Sequence, residues 1–321
     1  MEWRETYAEL ERARAERALW MPGPHGALFG IFTPPAPEAP AAGLCVLMPT
    51  RSRWRPGRMP VKVARSLAAQ GFACLRLDCH GHGQSEGETL ISGRDASNGE
   101  DVVAAIRHLR ERLDQTRFVL VGYCADALSA IAAFPAEGAA IAALVFMAAP
   151  VLRDSETVWD RKYVIRAMTD PAKLRRYLRF PRGWTGKVVL AGRALRRSGR
   201  RSANGGLPRF AEGFEFPALV RSGARGLFIY GKQDPQYREF QVAERELLAG
   251  LDPGARRLIE VEVWPARAHV AGDVRIEQAL YERAIEWIAA LHPTISAQLT
   301  SIDGETSAAS YAVRASADSE G

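Results

Sequence analysis

Nowhere in its 321 residues does the chain carry the roughly 18 to 20 consecutive apolar residues that a membrane-crossing helix needs. The longest candidate, Gly138 to Leu152, is short, is interrupted by Pro150, and reads as a buried strand and its exit. The opening segment, M-E-W-R-E-T-Y-A-E-L-E-R, mixes acids and bases where a secretory signal would need an apolar run, so a cytoplasmic location is expected. Cysteine is scarce. Its four occurrences, Cys45, Cys74, Cys79 and Cys124, include no C-x-x-C pair, which argues against a disulfide scaffold and against a zinc site. No internal repeat is present and no nucleic-acid-binding module accompanies the basic balance of 43 Lys and Arg against 37 Asp and Glu. A nucleic-acid partner is therefore not expected.

Apolar content is ample: 47% of residues are hydrophobic and 25% charged, enough for one large core or two ordinary ones. Short β-rich runs alternate with longer helical patterns, the mark of an α/β protein with a mainly parallel sheet. Strands are expected near 16–21, 27–33, 44–49, 72–78, 117–122, 141–148, 226–231 and 258–264, the first two as a hairpin. Residues 60–70, 98–113, 126–134, 236–250 and 273–291 show apolar spacing of three and four, as helices do. After the strand A-A-L-V-F-M-A-A the alternation breaks for about 75 residues until G-L-F-I-Y-G. Residues 151–215 are thus expected to be a helical, Arg-rich insertion, and the Ser-, Ala- and Thr-rich tail 293–321 is expected to be disordered. Residues 1–150 and 216–292 then form the core.

The segment R-F-V-L-V-G-Y-C-A-D-A-L-S-A-I-A-A-F, Arg117 to Phe134, holds a buried strand, the turn Gly122-Tyr123-Cys124-Ala125-Asp126, and a helix. A residue on a sharp strand-to-helix turn stands at the sheet's edge and faces the unpaired N–H groups of the helix start. That suits a nucleophile that must hold negative charge. A thiolate there, beside an imidazole, has a lowered pKa and is strongly nucleophilic.

On this turn and the order of elements around it, the chain resembles the α/β-hydrolase superfamily over roughly residues 16–291. The family's elbow is G-x-S-x-G; here Cys124 stands for the serine, as in the dienelactone-hydrolase type and in hydrolases associated with exosortase loci, and Asp126 stands for the second glycine. A carboxylate near Cys124 would raise the thiol's pKa unless the helix dipole or an Arg offsets it. Of the six histidines, His25, His80, His82, His108, His269 and His292, only His269 lies between the last strand and the final helix, where the family keeps its catalytic base. Asp234, in Y-G-K-Q-D-P after the preceding strand, matches the family's acid, with Asp154 as the fallback. The oxyanion hole implied by the resemblance uses the backbone N–H of Ala125 and one from the loop after the third strand, assigned to Arg51. The segment L-R-L-D-C-H-G-H-G-Q-S-E-G resembles the family's structural D-x-R-G-x-G-x-S turn, with His80 in the arginine's place. Nothing nearby gives His80 and His82 a plausible set of metal partners.

The charge is unevenly spread. Residues 151–210 carry 16 Arg and Lys against four acids, and the loop after the third strand adds Arg51, Arg53, Arg55 and Arg58, so the remainder of the chain is net acidic. Such a field suits an anionic acyl substrate, or one carried on CoA or an acidic carrier protein; an Arg-rich solvated surface is the plainer alternative, and peripheral contact with acidic lipid the least expected one. Arg53 and Tyr123 are the expected substrate contacts.

The expected protein is thus an α/β-hydrolase with an eight-stranded, mostly parallel sheet, helices on both faces and a helical cap insertion after strand 6. It would hydrolyse an ester or thioester through Cys124, His269 and Asp234, with no metal or organic cofactor. An acyltransferase and a non-catalytic binding protein on the same fold are the alternatives.

Overall fold

Apolar, β-branched and aromatic runs supply the strands, and their boundaries fall within a residue or two of the expected ones. These are β1 (Arg17–Gly23), β2 (Gly26–Thr33), β3 (Cys45–Thr50), β4 (Ala73–Asp78), β5 (Phe118–Tyr123), β6 (Ile141–Met147), β7 (Arg225–Gly231) and β8 (Ile259–Trp264). The structure is a computed structural model that describes residues 15–50, 58–88, 98–151, 216–248, 251–265, 268 and 274–291. Apart from Val151, the expected insertion lies outside the described residues, as does the expected tail.

The strands make one sheet in the order β1-β2-β4-β3-β5-β6-β7-β8. β1 and β2 form the expected hairpin and β2 pairs antiparallel with β4, whereas every pairing from β4 through β8 is parallel. Parallel strands covered on both faces read as continuous apolar runs. β3 does so: Cys45 and Leu47 enter one core layer and Val46 and Met48 the other, all buried.

The helices divide between those layers. α1 (Met59–Ala68), α2 (Gly99–Leu113), α3 (Ala125–Ala132), α4 (Phe216–Arg221), α5 (Pro235–Leu247) and α6 (Val274–Ala289) follow in chain order. One layer takes Val102, Ala105, Ile106 and Leu109 of α2 with residues of α3 and α5. The other takes Val63, Ala64 and Leu67 of α1 with Leu280, Ala284, Trp287 and Ile288 of α6. Spacings of three and four put these residues on one stripe of each helix. The sequence pattern does not show α4 or the single turn Pro253–Arg256, which are too short for a period. The latter has a local signal, since Asp252 caps it by accepting from Gly254 and Ala255 N–H, both at 2.8 Å.

From β3 the chain crosses to β4 on one side, then returns to β5 on the other. The reversal makes β3 and β5 the switch point of the sheet, beyond whose carboxyl ends open α/β folds bind ligands. Cys124 follows β5 there. Among the described residues no helix is long and apolar enough to cross a membrane.

Candidate active site

Cys124 is the N-cap of α3 and has φ 53° and ψ −119°. A non-glycine residue held in that region stores about 1–3 kcal/mol, which the surroundings must overcome. They do so on both sides of the turn: Cys124 N–H donates to the Met147 carbonyl at 2.8 Å, and the Cys124 carbonyl accepts from Ala127 N–H at 3.1 Å. Gly122 is required for the same bend. A Cβ on it would lie 2.4 Å from Ala127 Cα and 2.7 Å from Ala127 N, so only glycine lets α3 turn back this tightly on β5. Ala125 is the first residue of α3, and its N–H is among those that have no acceptor within the helix. Asp126, on that first turn, is buried, where the helix dipole favours a carboxylate.

Asp234 follows β7 and caps α5, with Pro235 at the first helical position. Its fully buried carboxylate does not cap its own helix. Instead Oδ2 accepts from Gly231 N–H at 3.1 Å and from Ala268 N–H at 2.8 Å. The second of these bonds ties the turn after β7 to a residue 34 positions away. Ala268 immediately precedes His269; His269 itself lies outside the described residues, with Arg51, Arg53 and Asp154.

Tyr123, expected among substrate contacts, belongs to the core layer of α1 and α6 and is 6% exposed. Its hydroxyl donates to the Ala268 carbonyl at 3.0 Å. Strand alternation carries the signal, because Val119, Val121 and Tyr123 share one face of β5 and Phe118 and Leu120 the other.

The turn after β4 is tied to the hairpin and to α2. Ser85 donates its hydroxyl to the Asp78 carbonyl at 2.6 Å and accepts from Phe29 N–H at 2.8 Å, while Asp78 Oδ2 accepts from Gln84 N–H at 3.1 Å. His80, buried, donates its backbone N–H to Asp101 Oδ2 at 2.8 Å, and its Nδ1 lies 2.9 Å from the same oxygen. Asn98 lies 3.0 Å from His80 Nδ1 through its amide and donates its N–H to Ser129 Oγ of α3 at 3.3 Å. The histidine thus joins a polar network that braces the elbow helix. Among the described residues no three His, Cys, Asp or Glu side chains are grouped to hold a metal ion.

The four thiols differ in environment. Cys45, Cys74 and Cys79 are buried and Cys124 half-buried. Burial pushes the Cys45 and Cys74 thiols far above the ordinary range, the neighbouring Cys45 adding to the effect at Cys74. A disulfide reagent added to the native protein at neutral pH is therefore expected to titrate one thiol rapidly and the other three only after unfolding. The rapid equivalent disappears in Cys124→Ala; a second fast thiol in the native protein would overturn this assignment.

The family model described as serine aminopeptidase, S33, matches residues 57–193, less than half of the chain but a span that includes the elbow. That description names a serine enzyme, whereas the elbow here carries Cys124. Among solved structures the chain is similar to an esterase of Pyrococcus furiosus, at 17% identity over 90% of this chain and 95% of that one, with a TM-score of 0.56. It is similar also to a thermostable carboxyl esterase of Bacillus coagulans, solved with glycerol, at 14% identity over 87% and 99% with a TM-score of 0.53. A dienelactone hydrolase of Anabaena variabilis shares 16% identity over 85% and 95%, with a TM-score of 0.50. At such identities the likeness is one of fold, and function must be argued from the site. No curated protein matches the chain.

Proposed function

We propose that the chain is an α/β-hydrolase, as its sheet order and the family model over residues 57–193 support, and that it hydrolyses a carboxylic ester or thioester through an acyl-cysteine on Cys124. The observation that carries the reading is the backbone of Cys124, held at φ 53° and ψ −119° at the start of α3. The reach of Asp234 to Ala268, beside His269, supports the identity of the acid and the base.

In this reading His269 takes the proton from Cys124 Sγ and the thiolate attacks the acyl carbon. The Ala125 N–H and the backbone N–H of Arg51 hold the resulting oxyanion. Collapse expels the alcohol or thiol, which takes the proton back from the imidazolium, and leaves the acyl group on Sγ. Water, deprotonated by His269, then attacks the thioester; collapse releases the acid and restores the thiolate, which takes back its proton. Asp234 fixes the tautomer and orientation of the imidazole.

The 16 basic against four acidic residues of 151–210 favour an acyl substrate that bears a carboxylate or phosphate, Arg53 among its contacts. Its KM should rise with added salt while that of a neutral analogue does not.

The test is intact-mass analysis after mixing with p-nitrophenyl acetate or an acyl thioester. The expected result is a hydroxylamine-labile acyl adduct on Cys124, absent in Cys124→Ala, with free acid as the main product. An unlabelled Cys124 would overturn the catalytic reading; dominant transfer to an added amine or thiol would replace the hydrolase with an acyltransferase.

A further inference from the structure

Ala268 is gripped at both ends of its own backbone. Its N–H donates to Asp234 Oδ2 at 2.8 Å and its carbonyl accepts the Tyr123 hydroxyl at 3.0 Å. All three residues are buried, Ala268 and Asp234 completely. The first contact uses the acid of the proposed triad. The second uses a side chain to which the proposed reaction gives no part.

Tyr123 immediately precedes Cys124, and Ala268 immediately precedes His269. A single hydrogen bond therefore links the residue before the proposed nucleophile to the residue before the proposed base. Successive Cα atoms are about 3.8 Å apart, so a tether between these neighbours limits how far the two reactive residues can drift from each other. The aromatic ring sits in the core layer with Val121 and Met147, which fixes the direction from which the hydroxyl arrives. A buried phenol needs a polar partner, and a buried carbonyl needs a donor; each here answers the other.

We propose that Tyr123 is a positioning residue, whose hydroxyl holds the histidine-bearing segment in register with the elbow through the Ala268 carbonyl. The proposal rests on the Cys124, His269 and Asp234 reading. Reacting groups displaced by about 1 Å lose on the order of 100-fold in rate, so the effect belongs in kcat and not in substrate binding.

The test is Tyr123→Phe, which keeps the ring and deletes one oxygen. With p-nitrophenyl acetate the expected result is a fall in kcat of about 10- to 100-fold with KM changed by less than about threefold. Iodoacetamide should alkylate Cys124 more slowly at neutral pH, its pH profile moving toward that of an ordinary thiol near about 8.5. A merely structural residue would act alike in any background, so the same substitution is made in His269→Ala. There it is expected to change neither kcat nor the alkylation profile, because the histidine it positions is gone. Should Tyr123→Phe not fold, Tyr123→Met, of similar length and without the hydroxyl, must give the same loss and the same non-additivity. Wild-type kinetics in Tyr123→Phe, or an equal loss with and without His269, overturns the proposal. If instead His269→Ala alone leaves kcat and alkylation unchanged, the triad reading fails first.

Discussion

Replacing Cys124 with alanine is expected to lower kcat toward a cognate ester or thioester by about 10⁴- to 10⁶-fold. The remainder comes from what the substitution spares: the Ala125 N–H at the start of α3 and the binding of the acyl group. Cys124→Ser is the sharper variant, because it installs the serine of the G-x-S-x-G elbow that this turn resembles. Under the proposed mechanism a thiol beside a helix start and an imidazole is partly ionised at neutral pH and an alcohol is not, so the serine variant would depend wholly on His269 for proton removal. Its activity should fall between wild type and alanine, and it should lose the reaction with iodoacetamide entirely. A Cys124→Ala protein that keeps even a tenth of the wild-type kcat would remove the acyl-cysteine from the mechanism.

The second large effect concerns stability. Asp101 is fully buried, and its Oδ2 accepts the His80 backbone N–H at 2.8 Å, lies 2.9 Å from His80 Nδ1, and accepts from Asn98 Nδ2 at 3.4 Å. Asp101→Ala removes the acceptor while leaving a buried imidazole and amide behind. Breaking a buried polar or ionic set from one side costs about 3–5 kcal/mol. For a core of this size that lowers the thermal midpoint by roughly 10 °C, and the urea midpoint should fall with an unchanged slope. The network reaches Ser129 of α3, and a Cβ on Gly99 would lie 2.6 Å from that of Ala132, so α2 rests directly on the elbow helix. Catalysis and stability are then lost together in this variant, whereas Cys124→Ala should lose activity alone. An unfolding free energy within about 0.5 kcal/mol of wild type, the range of an ordinary surface substitution, would show that the network does not hold the fold.

Much of this was legible in the chain. Apolar β-rich runs marked the eight strands because parallel strands are buried on both faces, and G-Y-C-A-D between such a run and a helix marked the elbow. What stayed hidden depends on contacts between distant segments. Nothing local says that β4 inserts between β2 and β3, or that His80 meets Asp101. A faint trace did exist: Asp101 falls four positions before Ala105, on the apolar stripe of α2, where an unpartnered acid would be costly. The place of the Tyr123 ring was legible in the alternation of Val119, Val121 and Tyr123, which puts all three in one core layer.

The bond between the Tyr123 hydroxyl and the Ala268 carbonyl closes a loop of 145 positions. A ribosome adding about 5–20 residues per second needs roughly 7–30 s to travel from one partner to the other. Under the proposed mechanism the growing chain holds its thiol for that whole interval without the base that would activate it. Under the same mechanism, acyl chemistry waits until the segment that carries His269 has been made and has met the turn after β5.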